Sequence, residues 1–192
     1  MPVSDQADTA AYAALRVGEL CERLASDRAP GAGSAAAVTG ALAASLVVKA
    51  AKQSAGSWAE AAGVVAQARL HATRCIELAA RGADAFDEAL SALAAGAGVE
   101  LPLDRAADVL LELCDVAADV AVLAARTAEQ GDGTFRADAA SASVLAEGVA
   151  RAAEALIRAN LTVTASDHRL VRARSLTEVA ADARRRALDA GP

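Results

Sequence analysis

The sequence is very poor in aromatic residues: two Phe, one Tyr and one Trp make up 2% of its 192 positions. Aromatic and β-branched strand signals are sparse, whereas Ala, the strongest helix former, supplies about 30% of the chain, several times its ordinary usage. This balance argues against a fold built on β-sheets. The composition therefore predicts an all-α protein.

Cysteine and histidine are also rare. The three cysteines, Cys21, Cys75 and Cys114, are far apart and each falls within a helical pattern, which indicates reduced core thiols rather than disulfides or metal ligands. Only two His are present, and there is no CxxC pair, no dinucleotide-binding fingerprint and no Ser-His-Asp arrangement. We expect no metal site.

Clustered basic charge is a further absence. The formal net charge is −6 and the Arg residues are scattered, so we expect no nucleic-acid partner. The N-terminal segment "MPVSDQADTA" lacks a basic flank and an apolar core, so no signal peptide is visible and a cytoplasmic location is expected.

The longest stretch without charge runs from Ala29 to Val48. Thr39, Gly40 and Ser45 interrupt it, and we expect it to be too short to span a bilayer, which needs about 18 to 20 apolar residues. The stretch is instead interpreted as a buried helix. We expect no membrane partner.

The chain consists of helical patterns separated by short Gly and Pro breaks. A length of 192 residues fits one domain, residues 1–192. The fold predicted is an up-and-down bundle of about six helices, with helices at about 5–27, 34–54, 57–93, 103–130, 135–165 and from 166 onward.

The second helix is apolar all round, so it must be surrounded by other helices or by a subunit interface. Because small side chains make a modest core, we expect a homodimer.

The break before the second helix carries a first candidate site. Gly31 and Gly33 can adopt backbone conformations closed to other residues, and Ser34 is placed to cap the helix. Free N–H groups at such a helix end can bind a carboxylate or phosphate. The alternative is a plain turn with a Ser cap.

Acidic residues form the second candidate. Asp84, Asp87 and Glu88 share one face of the third helix, with Phe86 toward the other, and clustered carboxylates can keep one of their number protonated as a general acid. Asp138, in the first turn of the fifth helix, is either favoured by the helix dipole or a site residue. For the first cluster the alternative is a solvated face. A longer acidic stripe from Asp104 to Asp119 has no interleaved His, so we expect a solvated face there rather than a di-metal carboxylate site.

Taken together, several segments resemble the cyclodeaminase/cyclohydrolase family of folate enzymes. The resemblance extends from about residue 20 to 167 and rests on "LASDRAPGAGSAAAVTGALAASL" at 24–46. Shorter matches are "ADAF" at 83–86, "LP" at 101–102, "AD" at 137–138 and "RANL" at 158–161. Members of this family close 5-formiminotetrahydrofolate to 5,10-methenyltetrahydrofolate with loss of ammonia, or hydrolyse the methenyl compound to 10-formyltetrahydrofolate.

The resemblance implies a dimeric helical bundle with a folate site near the interface, a tetrahydrofolate derivative as substrate, no covalently bound cofactor and no metal. It implies that Asp84 and Asp138 are catalytic. The residues that it assigns to substrate binding are Gly31, Gly33, Ser34, Lys52, Arg158 and Asn160. We accordingly expect the amino end of the second helix to open into a cavity that Asp84 and Asp138 share.

Departures from the family pattern leave two other functions open. Four positions differ from the pattern: Ala32 stands for a Gly, Gly82 for an acid, Leu103 for a Lys and Ala137 for a Ser. Residues 54–58 stand where the family has a basic cluster after the second helix. Most of these losses are polar or cationic. One alternative is a ring-closing, deaminating or hydrolytic reaction on a non-folate substrate. The other is a non-catalytic helical binding protein.

Overall fold

The structure, a computed structural model, describes residues 14–26, 29–161 and 167–191, and within these ranges every regular element is helical. The all-α prediction is confirmed. The described residues form six helices: α1 Val17–Leu24, α2 Ala32–Gln53, α3 Ala61–Ala94, α4 Glu100–Gln130, α5 Arg136–Asn160 and α6 His168–Asp189. A short 3₁₀ turn, Gly133–Phe135, precedes α5. Residues 5–13, 27 and 162–166 of the predicted helices lie outside the described residues.

Successive helices of the bundle run in opposite directions. Ser34 and Ala79 pair the start of α2 with the later half of α3, whereas Lys49, near the end of α2, meets Asp138 at the start of α5. α2 packs against α3, α4 and α5, and α6 packs against α4 and α5. The predicted up-and-down bundle is therefore confirmed.

Among α2 to α6, two helices begin three or four residues from the predicted start. α4 begins at Glu100 rather than at 103, because Pro102 lies in the first turn, where no N–H partner is required of it. α3 begins at Ala61 rather than at Ser57, because the N–H groups of Ser57 and Trp58 turn back to the carbonyl of Ser54. Local hydrogen bonding decides both boundaries.

The core is built largely from small side chains, and α2 supplies ten of its buried residues. A Cβ added at Gly40 of α2 would lie 2.9 Å from the Sγ atom of Cys75 on α3, so the two helices approach too closely for any side chain there. This proximity increases dispersion contacts between the helices. α2 is not surrounded on every side, because Leu42 is 59% exposed.

The length and composition of α2 also meet the requirements for a membrane span. The expectation that its apolar stretch is too short is wrong, because the helix continues to Gln53 and reaches 22 residues. More than half of its most apolar window (56%) is buried inside the bundle. That burial is typical of the core helix of a soluble protein.

The cysteines divide into two groups. Cys75 and Cys114 are buried as predicted, and burial raises their pKa values to about 12 and about 11. For Cys21 the prediction of a core thiol is wrong, because it is exposed on α1, a helix with no buried residue.

The acidic stripe of α4 lies on an exposed face, as the sequence indicates, and its carboxylates also pair with arginines. Glu112 accepts hydrogen bonds from Arg74 and from both terminal nitrogens of Arg81, at 2.9 Å for each bond from Arg81. Hydrogen bonds from Arg81 lower the pKa of Glu112 most, Arg74 adds to this, and partial burial opposes it. Arg169 of α6 forms ion pairs with Asp104 at 2.9 Å and with Asp108 at 3.3 Å. The stripe thus joins α4 to α3 and α6.

The contact between α2 and α3 predicts the effect of adding one methyl group. Gly40→Ala is expected to lower the free energy of unfolding by about 1 to 3 kcal/mol, because the new Cβ overlaps Cys75. Gly63→Ala on α3, where nothing lies within 4 Å, is the matched control and should stabilise by about 0.5 to 1 kcal/mol. Urea denaturation measures both. Equal effects of the two substitutions would contradict the close approach.

The Glu112 network predicts a pH-dependent loss of stability. Because the folded pKa is lowered, the stabilisation is complete above the ordinary pKa of Glu, about 4.3, and is lost as pH falls through the lowered pKa. Glu112→Gln should therefore be less stable than the wild type at about pH 7, and the difference should shrink as the pH falls below the ordinary pKa of Glu, about 4.3, and through the lowered pKa. Denaturation over a series of pH values from about 7 downward, with Glu22→Gln on α1 as control, tests this. A difference in stability that does not change with pH would contradict it.

Candidate functional site

A cavity of about 190 Å³ lies at the amino end of α2. Its walls come from the first residues of α2 and from facing residues of α3, α4 and α5. The lining residues of this α2 pocket are Gly31, Ala32, Gly33, Ser34, Gly82, Phe86, Ala106, Leu110, Leu156 and Asn160. Four predicted substrate-binding residues, Gly31, Gly33, Ser34 and Asn160, are therefore brought together.

The glycines and Ser34 reach the α2 pocket for reasons other than those predicted. Among the described residues only Gly96 has a positive φ; Gly31 has φ −113°. A Cβ at Gly31 would lie 3.5 Å from the Phe86 ring, and one at Gly33 would lie 3.4 Å from Leu110. Glycine at both positions therefore keeps space open beside apolar walls.

Ser34 is not a helix cap. α2 begins earlier, at Ala32, after the N-cap residue Gly31, which makes no side-chain cap. Ser34 is 1% exposed, and its hydroxyl donates to the carbonyl of Ala79 at 2.9 Å, because a buried hydroxyl without a partner is costly. The first N–H groups of α2 thus end at the α2 pocket without a side-chain cap, at the positive end of the helix dipole.

Asp84 lies outside the α2 pocket. It lines a shallow groove between α3 and α4 with Arg81, Glu88, Arg105 and Asp108. Glu88 is paired there with Arg105 at 2.7 Å. The prediction that the acids and Phe86 lie on different faces of this helix is confirmed. Asp84, Asp87 and Glu88 are exposed, whereas Phe86 lines the α2 pocket.

Asp138 belongs to a second group, at the opposite end of α2. Its Oδ2 atom lies 2.7 Å from the Nζ atom of Lys49, and that Nζ lies 5.9 Å from the centroid of the Phe135 ring. Lys49 follows Ser34 by 15 positions, which is about 22 Å along a helix. The expectation of one cavity shared by the α2 pocket, Asp84 and Asp138 is therefore wrong within a single chain.

A buried hydrogen bond holds the Lys49 end of α2 to the loop before α5. The hydroxyl of Ser54 donates to the carbonyl of Ala50 and accepts the N–H of Asp132 at 2.8 Å. A Cβ at Gly131 would lie 2.7 Å from the same hydroxyl oxygen. This close packing determines where α5 begins and so places Asp138 beside Lys49.

The remaining predicted residues are dispersed. Arg158 is exposed and pairs with Glu154 at 2.6 Å on the same helix, and Lys52 is exposed near the end of α2. Neither lines the α2 pocket. In the described part of the chain, no group of three or more His, Cys, Asp or Glu side chains could hold a metal ion.

Sequence reasoning missed two important side chains. Phe86 was recognised only as lying opposite the acids, yet it forms a wall of the α2 pocket. Lys49, rather than Lys52, meets Asp138. The one signal in the sequence was the helical repeat of α2, which places Lys49 but not Lys52 one turn beyond Ser45.

Comparisons with known proteins agree with this architecture. The model of the formiminotransferase-cyclodeaminase family matches residues 16–179. The crystal structure of formiminotetrahydrofolate cyclodeaminase from Thermotoga maritima is similar in fold, with a TM-score of 0.84 at 21% identity, over 93% of this chain and 96% of that chain. A search of curated proteins finds no match. Because the family model spans most of the described helices, the chain belongs to the formiminotransferase-cyclodeaminase family.

Proposed function

We propose that the protein is a folate one-carbon enzyme that acts on a tetrahydrofolate derivative, as a formiminotetrahydrofolate cyclodeaminase or a methenyltetrahydrofolate cyclohydrolase. One observation carries the proposal: the Gly31–Ser34 segment, at the centre of the longest family-like motif, forms a wall of the α2 pocket. The structurally similar Thermotoga maritima protein, a formiminotetrahydrofolate cyclodeaminase, supports this substrate class.

The α2 pocket suits one flat heterocyclic ring. Phe86 offers an aromatic wall, and aromatic rings pack favourably against one another. The first N–H groups of α2 and the Asn160 amide supply polar contacts at the edge, as in ligand pockets that are apolar with a few oriented polar groups. These residues would bind and orient the ring.

Both family reactions need one proton accepted and another delivered. In ring closure, a substrate nitrogen bonds to the formimino carbon and loses a proton, and the departing nitrogen gains a proton and leaves as ammonia. In hydrolysis, water attacks the cationic methenyl carbon and loses one proton. The resulting hydroxyl then loses its proton as one carbon–nitrogen bond breaks, and the departing nitrogen gains a proton. The Lys49 ammonium and the Asp138 carboxylate, 2.7 Å apart, form a donor and acceptor pair of the required kind. Because about 22 Å separates this pair from the α2 pocket of its own chain, the pair would act at the pocket of the other copy in the homodimer expected from the sequence.

We infer that the protein acts in the cytoplasm as a homodimer, each chain one domain, without a nucleic-acid or membrane partner. The scattered arginines and the largely buried α2 support this inference.

A non-folate substrate is the second candidate function. No charged side chain lines the α2 pocket among the described residues. Three described arginines close in sequence to lining residues are paired with acids: Arg81 with Glu112, Arg105 with Glu88 and Arg158 with Glu154. Such a lining favours an uncharged ring over the anionic tail of a pteroylglutamate. The reaction would again be ring closure, deamination or hydrolysis.

Enzyme assays test the proposed reaction. Purified protein should remove the absorbance of methenyltetrahydrofolate or release ammonia from 5-formiminotetrahydrofolate. Asp138→Asn is expected to lower kcat by about 10² to 10⁴-fold, because positioned acid–base groups contribute that much, and Lys49→Met should act similarly. The matched control, Asp119→Asn on exposed α4 surface, should keep wild-type kcat. Turnover of neither folate would remove the proposal.

Ligand-induced stabilisation separates the two candidate functions. A folate at about a hundredfold its Kd should stabilise the native protein by about 2.7 kcal/mol. Gly31→Val should abolish this stabilisation, because its side chain enters the space beside Phe86. Thermal unfolding with tetrahydrofolate and 5-formyltetrahydrofolate measures the effect. A flat response to both compounds would favour the non-folate substrate.

A further inference from the structure

Three glycines line the α2 pocket, and neither backbone geometry nor packing requires any of them. Gly31, Gly33 and Gly82 all lie outside the positive-φ region. Cβ atoms added there would lie 3.5, 3.4 and 3.8 Å from the nearest side-chain atoms, which is ordinary van der Waals contact. Gly40 contrasts with them, because a Cβ there would overlap Cys75. The missing side chains therefore leave space in the pocket rather than relieve a clash.

Gly82 is the least favourable of these glycines for the fold. It lies well inside α3, a helix of 34 residues, where glycine is less stable than alanine because its backbone loses more freedom on folding. Gly31, in contrast, is the N-cap residue of α2, a position where glycine is common. The nearest atom that a Cβ at Gly82 would meet beyond its own helix backbone is Cγ1 of Val109, at 3.8 Å. Alanine would fit, so glycine here costs stability and enlarges the α2 pocket.

The space beside Gly82 has apolar surroundings. Phe86 follows Gly82 by four residues, about one helical turn, and both line the α2 pocket. Ala106 and Leu110, one turn apart on α4, line the same pocket. We call the space between these four residues the Gly82 recess. Its walls offer methyl, methylene and ring carbons as contacts.

The charged residues next to Gly82 in the sequence are held away from the Gly82 recess. Arg81 donates to both carboxylate oxygens of Glu112, at 2.9 Å each, and Asp84 lines the groove between α3 and α4. A charged ligand group in the recess would have no partner of opposite sign, and burying an unpaired charge is costly. The recess therefore favours an uncharged apolar group.

We propose that Gly82 determines which rings the α2 pocket accepts, because the Gly82 recess receives a methyl-sized, uncharged substituent of a flat heterocyclic ligand. The ring itself lies against Phe86, and the substituent takes the place of the side chain that position 82 lacks. Gly82 is thus a specificity-determining residue and supplies no group to the reaction. This inference rests on the proposed function, because it concerns the ring that the α2 pocket binds.

Matched ligand pairs test the recess. The probes are pterin and adenine, each compared by calorimetry with its singly methylated forms. The wild type should bind at least one methylated form about fourfold more tightly than the parent ring, since one buried CH₂ is worth about that much. Gly82→Ala should remove this preference, because its own methyl group fills the recess. Gly63→Ala, on the same helix and outside the pocket, is the control and should keep it.

Three results of the titrations would overturn the proposal. They are binding of no probe, equal binding of parent and methylated rings by the wild type, and a preference for the methylated ring that survives in Gly82→Ala.

Thermal unfolding separates this role of Gly82 from a structural one. Gly82→Ala should raise the Tm of the free protein by about 1 to 4 °C, because alanine fits the site and favours the helix. Higher stability with weaker binding of the methylated ring is the combination expected of a glycine that leaves space for a ligand. A lower Tm would show that packing requires the glycine, and would overturn the proposal.

A thiol at position 82 tests the recess without any ligand. In a Cys21→Ser background, Gly82→Cys should react with methyl methanethiosulfonate, a small thiol reagent, because the recess is open to the pocket. Cys75 and Cys114 are internal controls and should stay unmodified, since they are buried and burial raises the pKa of each thiol. A Gly82→Cys thiol as unreactive as these two would overturn the proposal.

The experiments separate failure of the inference from failure of the proposed function. A methyl preference that Gly82→Ala removes, in a protein that turns over neither folate, supports the inference and removes the folate reaction. Folate turnover by a protein whose ring preference is the same in the wild type and in Gly82→Ala keeps the reaction and removes the inference.

Discussion

The structure depends on the close approach of α2 to its neighbours. Gly40 leaves no room for a Cβ beside Cys75, and most other buried residues of α2 are alanines. Small side chains bring the backbones together but bury little area each, so the bundle gains contacts at the cost of a modest core. The same composition leaves α2 with an apolar outer face, which a second copy would cover.

Much of the fold follows from local features of the sequence. Gly and Pro breaks separate helical patterns of the correct length, and all of α2 through α6 lie close to where periodicity predicts them. The errors arise where a local pattern competes with a longer-range contact. Serine is a preferred residue type at a helix N-cap, yet Ser34 lies within the first turn of α2. Its hydroxyl donates to the carbonyl of Ala79 on α3 instead of capping the helix.

The candidate site is less accessible to sequence reasoning. Spacing correctly placed Asp84 and Phe86 on opposite faces of α3, but it does not say which face meets the other helices, and the acids face solvent. The pairing of Asp138 with Lys49 depends on how α5 packs along α2. Motif resemblance, in contrast, identified Gly31, Gly33, Ser34 and Asn160, which line one pocket.

In this account, the α2 pocket at the amino end of α2 binds the ring, and the Lys49–Asp138 pair near the other end of the helix transfers protons. A crystal structure of the protein with 5-formyltetrahydrofolate tests this description most directly. We predict the ring against Phe86 and the Gly31–Ser34 segment, with Lys49 and Asp138 of a second copy beside it. A ring bound in the groove between α3 and α4, next to Asp84, would contradict the account.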